Sequence, residues 1–129
     1  MRVENECITL ENNKVYSSYY ARACKIVPDW RLIAISRGIP DGFNGEIMRE
    51  LNPSQSLLFN FKNNNITEDE YKEIYYNETL KDLCASEIYN KTKGKVLLCY
   101  CGKESFCHRK LVLNWLQENL GNSIIGGEI

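Results

Sequence analysis

The chain lacks the features that mark several special classes of protein. No apolar run approaches the roughly 20 residues needed to cross a bilayer, and the formal charge of −1 is not gathered into a block of one sign. Neither membrane insertion nor non-specific attraction to nucleic acid is expected. There is a single histidine, His108, so any imidazole chemistry must pass through it. Neither a Walker A loop nor a dinucleotide fingerprint occurs. The start, Met1-Arg2-Val3-Glu4-Asn5-Glu6-Cys7, is polar and has no apolar leader segment. A cytoplasmic setting is therefore expected, where six cysteines would not form a disulfide framework.

The 129 residues match one ordinary domain and can build a hydrophobic core without staples. Apolar runs alternate with helical periods. This predicts one α/β domain over residues 1–129, a small sandwich with a mostly parallel sheet and helices on both faces. Residues 31–36 and 96–100 carry near-continuous apolar runs and read as strands buried on both faces. Ser17 and Ser18 read as the cap of a short helix that buries Tyr20, Ala23, Cys24 and Val27 and stops at Pro28. Residues 43–65 hold no period and read as a long connection.

Thr67-Glu68-Asp69-Glu70 is a capping box, and its helix should bury Tyr71, Ile74 and Tyr75. A further helix is expected over 80–89, ended at Gly94, and a last one over 106–120, ended at Gly121. Residues 123–125 read as a short final strand. Trp30, Trp115, Cys24 and Cys84 are expected in the core. Tyr100, which alternates away from Cys99 and Cys101, should pack under a helix.

Most of the chemistry lies in one stretch. Val96-Leu97-Leu98-Cys99-Tyr100-Cys101 ends a strand, a short loop follows, and Cys107-His108-Arg109 opens a helix. Amides and the positive dipole end at such a helix start favour anions and thiolates. This block resembles the family known as domain of unknown function 488, whose signature is an apolar strand ending in cysteine followed by Cys-His-Arg at a helix start. Tyr16-Ser17-Ser18-Tyr19-Tyr20-Ala21, Ile35-Ser36-Arg37-Gly38-Ile39-Pro40 and Ile66-Thr67-Glu68-Asp69-Glu70-Tyr71 extend the likeness over most of the chain. The resemblance implies a small α/β fold and brings no established activity. It also implies an acidic residue at the position held here by Cys101.

Four readings fit the cluster. An anion such as phosphate would be held near the amides of residues 105–108, with Arg37, Lys103, His108 and Arg109 as charge partners and Ser36 and Cys99 beside them. Cys107 would be a nucleophile and His108 its proton-transfer group, although one residue's step around a helix turns the two side chains about 100° apart. Zinc would need Cys99, Cys101, Cys107 and His108, at spacings unlike the usual ones. Finally, the cysteines would be small core residues.

The expected function is binding of a phosphorylated, nucleotide-like small molecule, with Cys107 and His108 as candidate catalytic residues and Ser36, Arg37, Cys99, Lys103 and Arg109 as candidate ligand-binding residues. The alternatives are a non-catalytic sensor or sequestering protein, a structural zinc domain and a purely structural domain. No cofactor is assigned. If the strands ending at Ser36 and Cys99 are parallel neighbours, Arg37 and the Cys-His-Arg turn face one cleft.

Overall fold

The computed structural model describes residues 9–100 and 106–129. Five parallel strands form one sheet in the order β3-β2-β4-β1-β5. They are β1 (Val15–Tyr19), β2 (Leu32–Ala34), β3 (Glu46–Ile47), β4 (Val96–Cys99) and β5 (Ile125–Glu128). Side chains alternate across the sheet and divide the core in two. Leu32, Ala34, Val96 and Leu98 face α1 (Tyr20–Ile26), which supplies Tyr20 and Ala23. Ile33, Ile35 and Leu97 face α2 (Gln55–Lys62), α3 (Glu68–Tyr75), α4 (Ala85–Thr92) and α5 (His108–Leu120). The sequence-based α/β sandwich is thus the fold, and every residue of β4 is buried.

Local chemistry sets the element ends. Thr67 and Glu70 form both hydrogen bonds of the capping box, at 3.1 and 2.8 Å. Gly94 and Gly121 adopt φ of 78° and 98°, conformations an L side chain rarely enters. Gly94 also has its Cβ direction filled by Asn12 backbone, so both strain and contact hold glycine there.

Several expectations are corrected. Ser17 and Ser18 are not a helix cap. They lie buried in central strand β1, where Ser17 Oγ donates to Glu128 and Ser18 Oγ to the carbonyl of Ile129. Glu128 of β5 and Ile129 just beyond it satisfy the hydroxyls, which sequence spacing alone does not reveal. The buried stripe of α1 is Tyr20 and Ala23, continued by Val27, and Cys24 falls outside it, exposed.

Residues 43–65 contain β3 and α2, the latter capped by Ser54, whose hydroxyl accepts from the Leu57 amide at 3.0 Å. The helix expected over 80–89 starts later, at Ala85, because a π-helical turn, Tyr76–Leu80, first prolongs α3. Cys84 consequently sits outside that helix, exposed. The last strand is Ile125–Glu128, since Asn122–Ile124 forms a 3-10 turn.

Trp115 is buried, but Trp30 is exposed with the Arg31 guanidinium 4.4 Å above its ring. That stacking covers an aromatic face without a core position. Tyr100 is also exposed. It leans on Tyr20, ring centroids 4.9 Å apart, rather than under a helix.

Candidate functional site

β1 and β4 are paired neighbours, yet β1 continues into α1 on one face and β4 leads to α5 on the other. Such divergence opens a crevice beyond the carboxyl ends of the strands. A cleft of about 200 Å³ lies there. Ser36 and Arg37 enter it from the end of β2, Cys99 and Tyr100 from β4, and Cys107 and His108 from the start of α5. Phe61 of α2, Tyr71 of α3 and Phe106 add an aromatic wall, in which Phe106 lies 5.3 Å from Phe61 and 5.2 Å from Tyr71 between ring centroids.

β2 and β4 are parallel neighbours, with Ala34 opposite Leu98. Ser36, Arg37, Cys99, Cys107 and His108 therefore share one cleft. Arg109 lies behind Cys99, fully buried, and Lys103 lies outside the described residues, as does Cys101.

Each polar group has a fixed task. Tyr20 Oη donates to Ser36 Oγ at 2.6 Å, and Ser36 Oγ donates to the Gly38 carbonyl at 2.6 Å. Burial raises the Tyr20 pKa, although the Ser36 bond opposes the shift, so the phenol stays a donor. Together they hold the loop that carries Arg37. Arg37 is exposed, and its Nη1 reaches the Pro53 carbonyl only at 3.5 Å. Among the described residues around the cleft it alone carries a permanent charge.

His108 is 4% exposed, and its Nε2 lies 2.7 Å from the Ile35 carbonyl. A carbonyl only accepts, so this partner assigns the hydrogen to Nε2 and leaves a lone pair on Nδ1. Nδ1 faces the Cys107 sulfur at 3.5 Å. Burial holds the His108 pKa down at about 4. The Ile35 bond works upward and the Arg109 charge downward. The imidazole is neutral at pH 7 and able to accept a proton.

Contact between Cys107 and His108 corrects the expectation that helical geometry separates them. Cys107 is the N-cap of α5, with extended φ of −158° and ψ of 149°, so the 100° helical step does not apply to it.

The sulfurs of Cys99 and Cys107 are within bonding contact, while their Cα atoms are 7.7 Å apart. That Cα separation exceeds what a disulfide spans without backbone movement. The two sulfurs are thus placed to face one another, and in the reduced chain they form a thiol pair.

Cys99, Cys107 and His108 also place three donor atoms within 4.8 Å of one another. Closed zinc sites use four donors, and no fourth joins these three among the described residues. Arg109 Nη1, 2.8 Å from the Cys99 sulfur, sets a positive charge against one of the three donors. Cys101, the fourth candidate, lies outside the described residues, so these three donors alone do not complete a closed site.

Residues 19–120, most of the chain, match the family described as the active DUF488-N3 subclade. The chain belongs to that family. No curated protein and no solved structure matches it. The DUF488-N3 match takes in the whole cleft and the Cys107-His108-Arg109 turn. It leaves out β5 and most of β1, which together hold Glu128 and Ser17.

Sequence reasoning missed Glu128 altogether. This carboxylate receives Arg109 Nε at 3.1 Å and Nη2 at 2.8 Å, and Ser17 Oγ at 2.5 Å. Burial pushes its pKa up, but hydrogen bonds from Arg109 and Ser17 outweigh that and leave it below the ordinary value. The only sequence signal was a lone acid among Gly126, Gly127 and Ile129. Nothing in that pattern names its partner, 19 residues away.

Proposed function

We propose that the chain binds a phosphorylated, nucleotide-like small molecule in this cleft and uses Cys107 for thiol-dependent group transfer. The observation that carries the reading is the meeting of an exposed arginine, Arg37, with the Cys107–His108 pair around one largely apolar cavity. The aromatic wall suits a planar ring, and Arg37 together with the amides at the start of α5 suits an anionic group. The family's description as an active subclade is said of the family, and it agrees with a catalytic role.

In the transfer, the Cys107 proton passes to His108 Nδ1 as the sulfur bonds to an electrophilic atom of the ligand. The bond from that atom to its leaving group breaks, and the electron pair leaves with that group. His108 then returns the proton to it. An imidazole of such low basicity holds the proton only while the new bond forms. The transfer is therefore tied to attack rather than completed beforehand. Arg109 supports the site from behind Cys99, and the cytoplasm would supply a ligand of this class.

Calorimetric titration with nucleoside mono-, di- and triphosphates tests the binding half. Arg37→Ala should weaken the tightest of these by about 1.5–3 kcal/mol, the usual worth of a hydrogen bond to a charged group. It should leave the denaturation midpoint almost unchanged, because Arg37 is exposed. Equal affinity in both proteins would remove Arg37 from the site. Tight binding without any product would instead mark a sensor.

A further inference from the structure

The Cys99 sulfur has a partner that the group-transfer reading does not use. Arg109 is wholly buried, and its Nη1 donates to Cys99 Sγ at 2.8 Å. The other edge of the guanidinium is clamped by Glu128 through two parallel hydrogen bonds, and Ser17 holds the same carboxylate. The fork therefore cannot rotate away from the sulfur without giving up its carboxylate. A guanidinium has donors only. A neutral thiol is a weak acceptor and a thiolate a strong one, so this contact favours the ionised sulfur.

We propose that Cys99 is held as a thiolate by Arg109, and that Glu128 of β5 moderates this by competing for the same guanidinium. Among the described residues, the remaining titratable neighbours do not supply the charge. Cys107 and His108 face Cys99 from the start of α5, one a thiol and the other a neutral imidazole. Tyr100 follows it in sequence, Tyr19 lies opposite it on β1, and Arg37 lines the same cleft from β2. The site thus holds two unlike sulfurs. Cys107 keeps its proton and is paired with a base. Cys99 carries the negative charge and is paired with a cation. Two thiols in contact do not both ionise readily, so the charge on Cys99 helps to keep Cys107 protonated until a ligand arrives.

The sign of a Glu128 substitution separates charge from scaffolding. Glu128→Gln removes a competitor for Arg109 and a nearby negative charge that repels the thiolate. Both changes favour an ionised Cys99. A carboxylate that merely held Arg109 in place would have the opposite effect when removed.

The test uses the full chain carrying Cys107→Ser, without any phosphorylated ligand. Iodoacetamide alkylation is followed from pH 5 to 10, with modification of Cys99 resolved from that of Cys7, Cys24, Cys84 and Cys101, the last near it in sequence, by peptide fragmentation in the mass spectrometer. Burial slows the reaction at every pH but leaves its midpoint to report ionisation. The Cys99 midpoint should fall below the ordinary thiol value of about 8.5. It should fall further with Glu128→Gln, and Glu128→Asp should restore it toward the parent.

A parent midpoint at or above the ordinary value overturns the thiolate. A low parent midpoint that rises or stays fixed in Glu128→Gln overturns the competition. The parent result stands even if the second variant does not fold. Because Cys107 and the phosphorylated ligand are both absent, failure here is distinct from failure of the proposed function.

Discussion

Arg109→Ala should lower the free energy of unfolding by about 3–5 kcal/mol, the range for breaking a buried ion pair from one side. Arg109 is wholly buried, and the Glu128 side chain that meets it at 2.8 Å is 16% exposed. Truncation strands that carboxylate in a largely dry place and leaves a void between α5 and β5. Surface pairs give a useful contrast. Lys72–Asp69 spans 3.8 Å between exposed side chains, and its removal should cost well under about 1 kcal/mol.

Desolvation opposes the gain within the buried pair, so removing both charges together should cost much less than removing one. Arg109→Met with Glu128→Met should recover most of the loss. Urea denaturation of the single and double variants at pH 7 measures this. A loss below about 1 kcal/mol in Arg109→Ala would place the pair in the surface class and contradict the burial argument.

The second large effect follows from His108. Burial pushes its pKa from 6.5 to about 4 in the folded chain. Between those values the unfolded chain binds a proton that the folded chain refuses. Stability from this group is therefore complete above about pH 6.5 and is lost as the pH falls toward 4. At about 1.4 kcal/mol for each pH unit, the whole loss approaches about 3 kcal/mol.

Glu128 acts in the same direction but lower. Its folded pKa is depressed, so its contribution is present above the ordinary carboxylate value and fades below it. Tyr20, Tyr75 and Cys24 are shifted upward and titrate far above this window. Of these shifted groups, His108 is the one that titrates across the interval from about pH 6.5 to 4.5. Denaturation midpoints should fall steadily across it, and His108→Gln should flatten the slope whatever its own cost in stability. An equal slope in both proteins would show that the imidazole is solvated or charged in the folded chain.

These effects show which features local sequence could carry. β4 was legible because a strand buried on both faces needs an unbroken apolar run, and Val96 to Cys99 supplies one. The capping box at Thr67 and the glycine at 121 were legible because backbone geometry at helix ends depends on neighbours a few residues away. The shared cleft followed from topology, since parallel neighbours present their carboxyl ends on one edge.

The errors arose where a distant partner decides the outcome. Ser17 and Ser18 carry the side chains of a helix cap, and pairing with the distant β4, together with hydroxyl partners at Glu128 and Ile129, makes them strand residues. Arg109 reads as a ligand group from its place at a helix start, and burial against Glu128 and Cys99 is what local sequence does not reveal. The Cys107–His108 contact was misjudged for a local reason. The chain is still extended at residue 107, so its side chain does not follow the helical wheel. A Pro53-Ser54 start ahead of Leu57, Leu58 and Phe61 was a usable signal for α2, and the polar residues around it masked the period.

The central claim is that Cys107 reacts inside a cleft that also holds an anionic ligand through Arg37. Protection of Cys107 tests it most directly. The rate of its alkylation is measured by peptide mass spectrometry at pH 7.5, with and without millimolar nucleoside phosphates, in the parent protein and in Arg37→Ala. The account predicts that at least one such ligand slows modification of Cys107 about tenfold or more in the parent, the factor expected when the ligand stands about tenfold above its dissociation constant. It also predicts that Arg37→Ala abolishes most of the protection, while alkylation of exposed Cys24 and Cys84 stays constant in all samples. Modification of Cys107 at the same rate with every ligand would contradict the shared site.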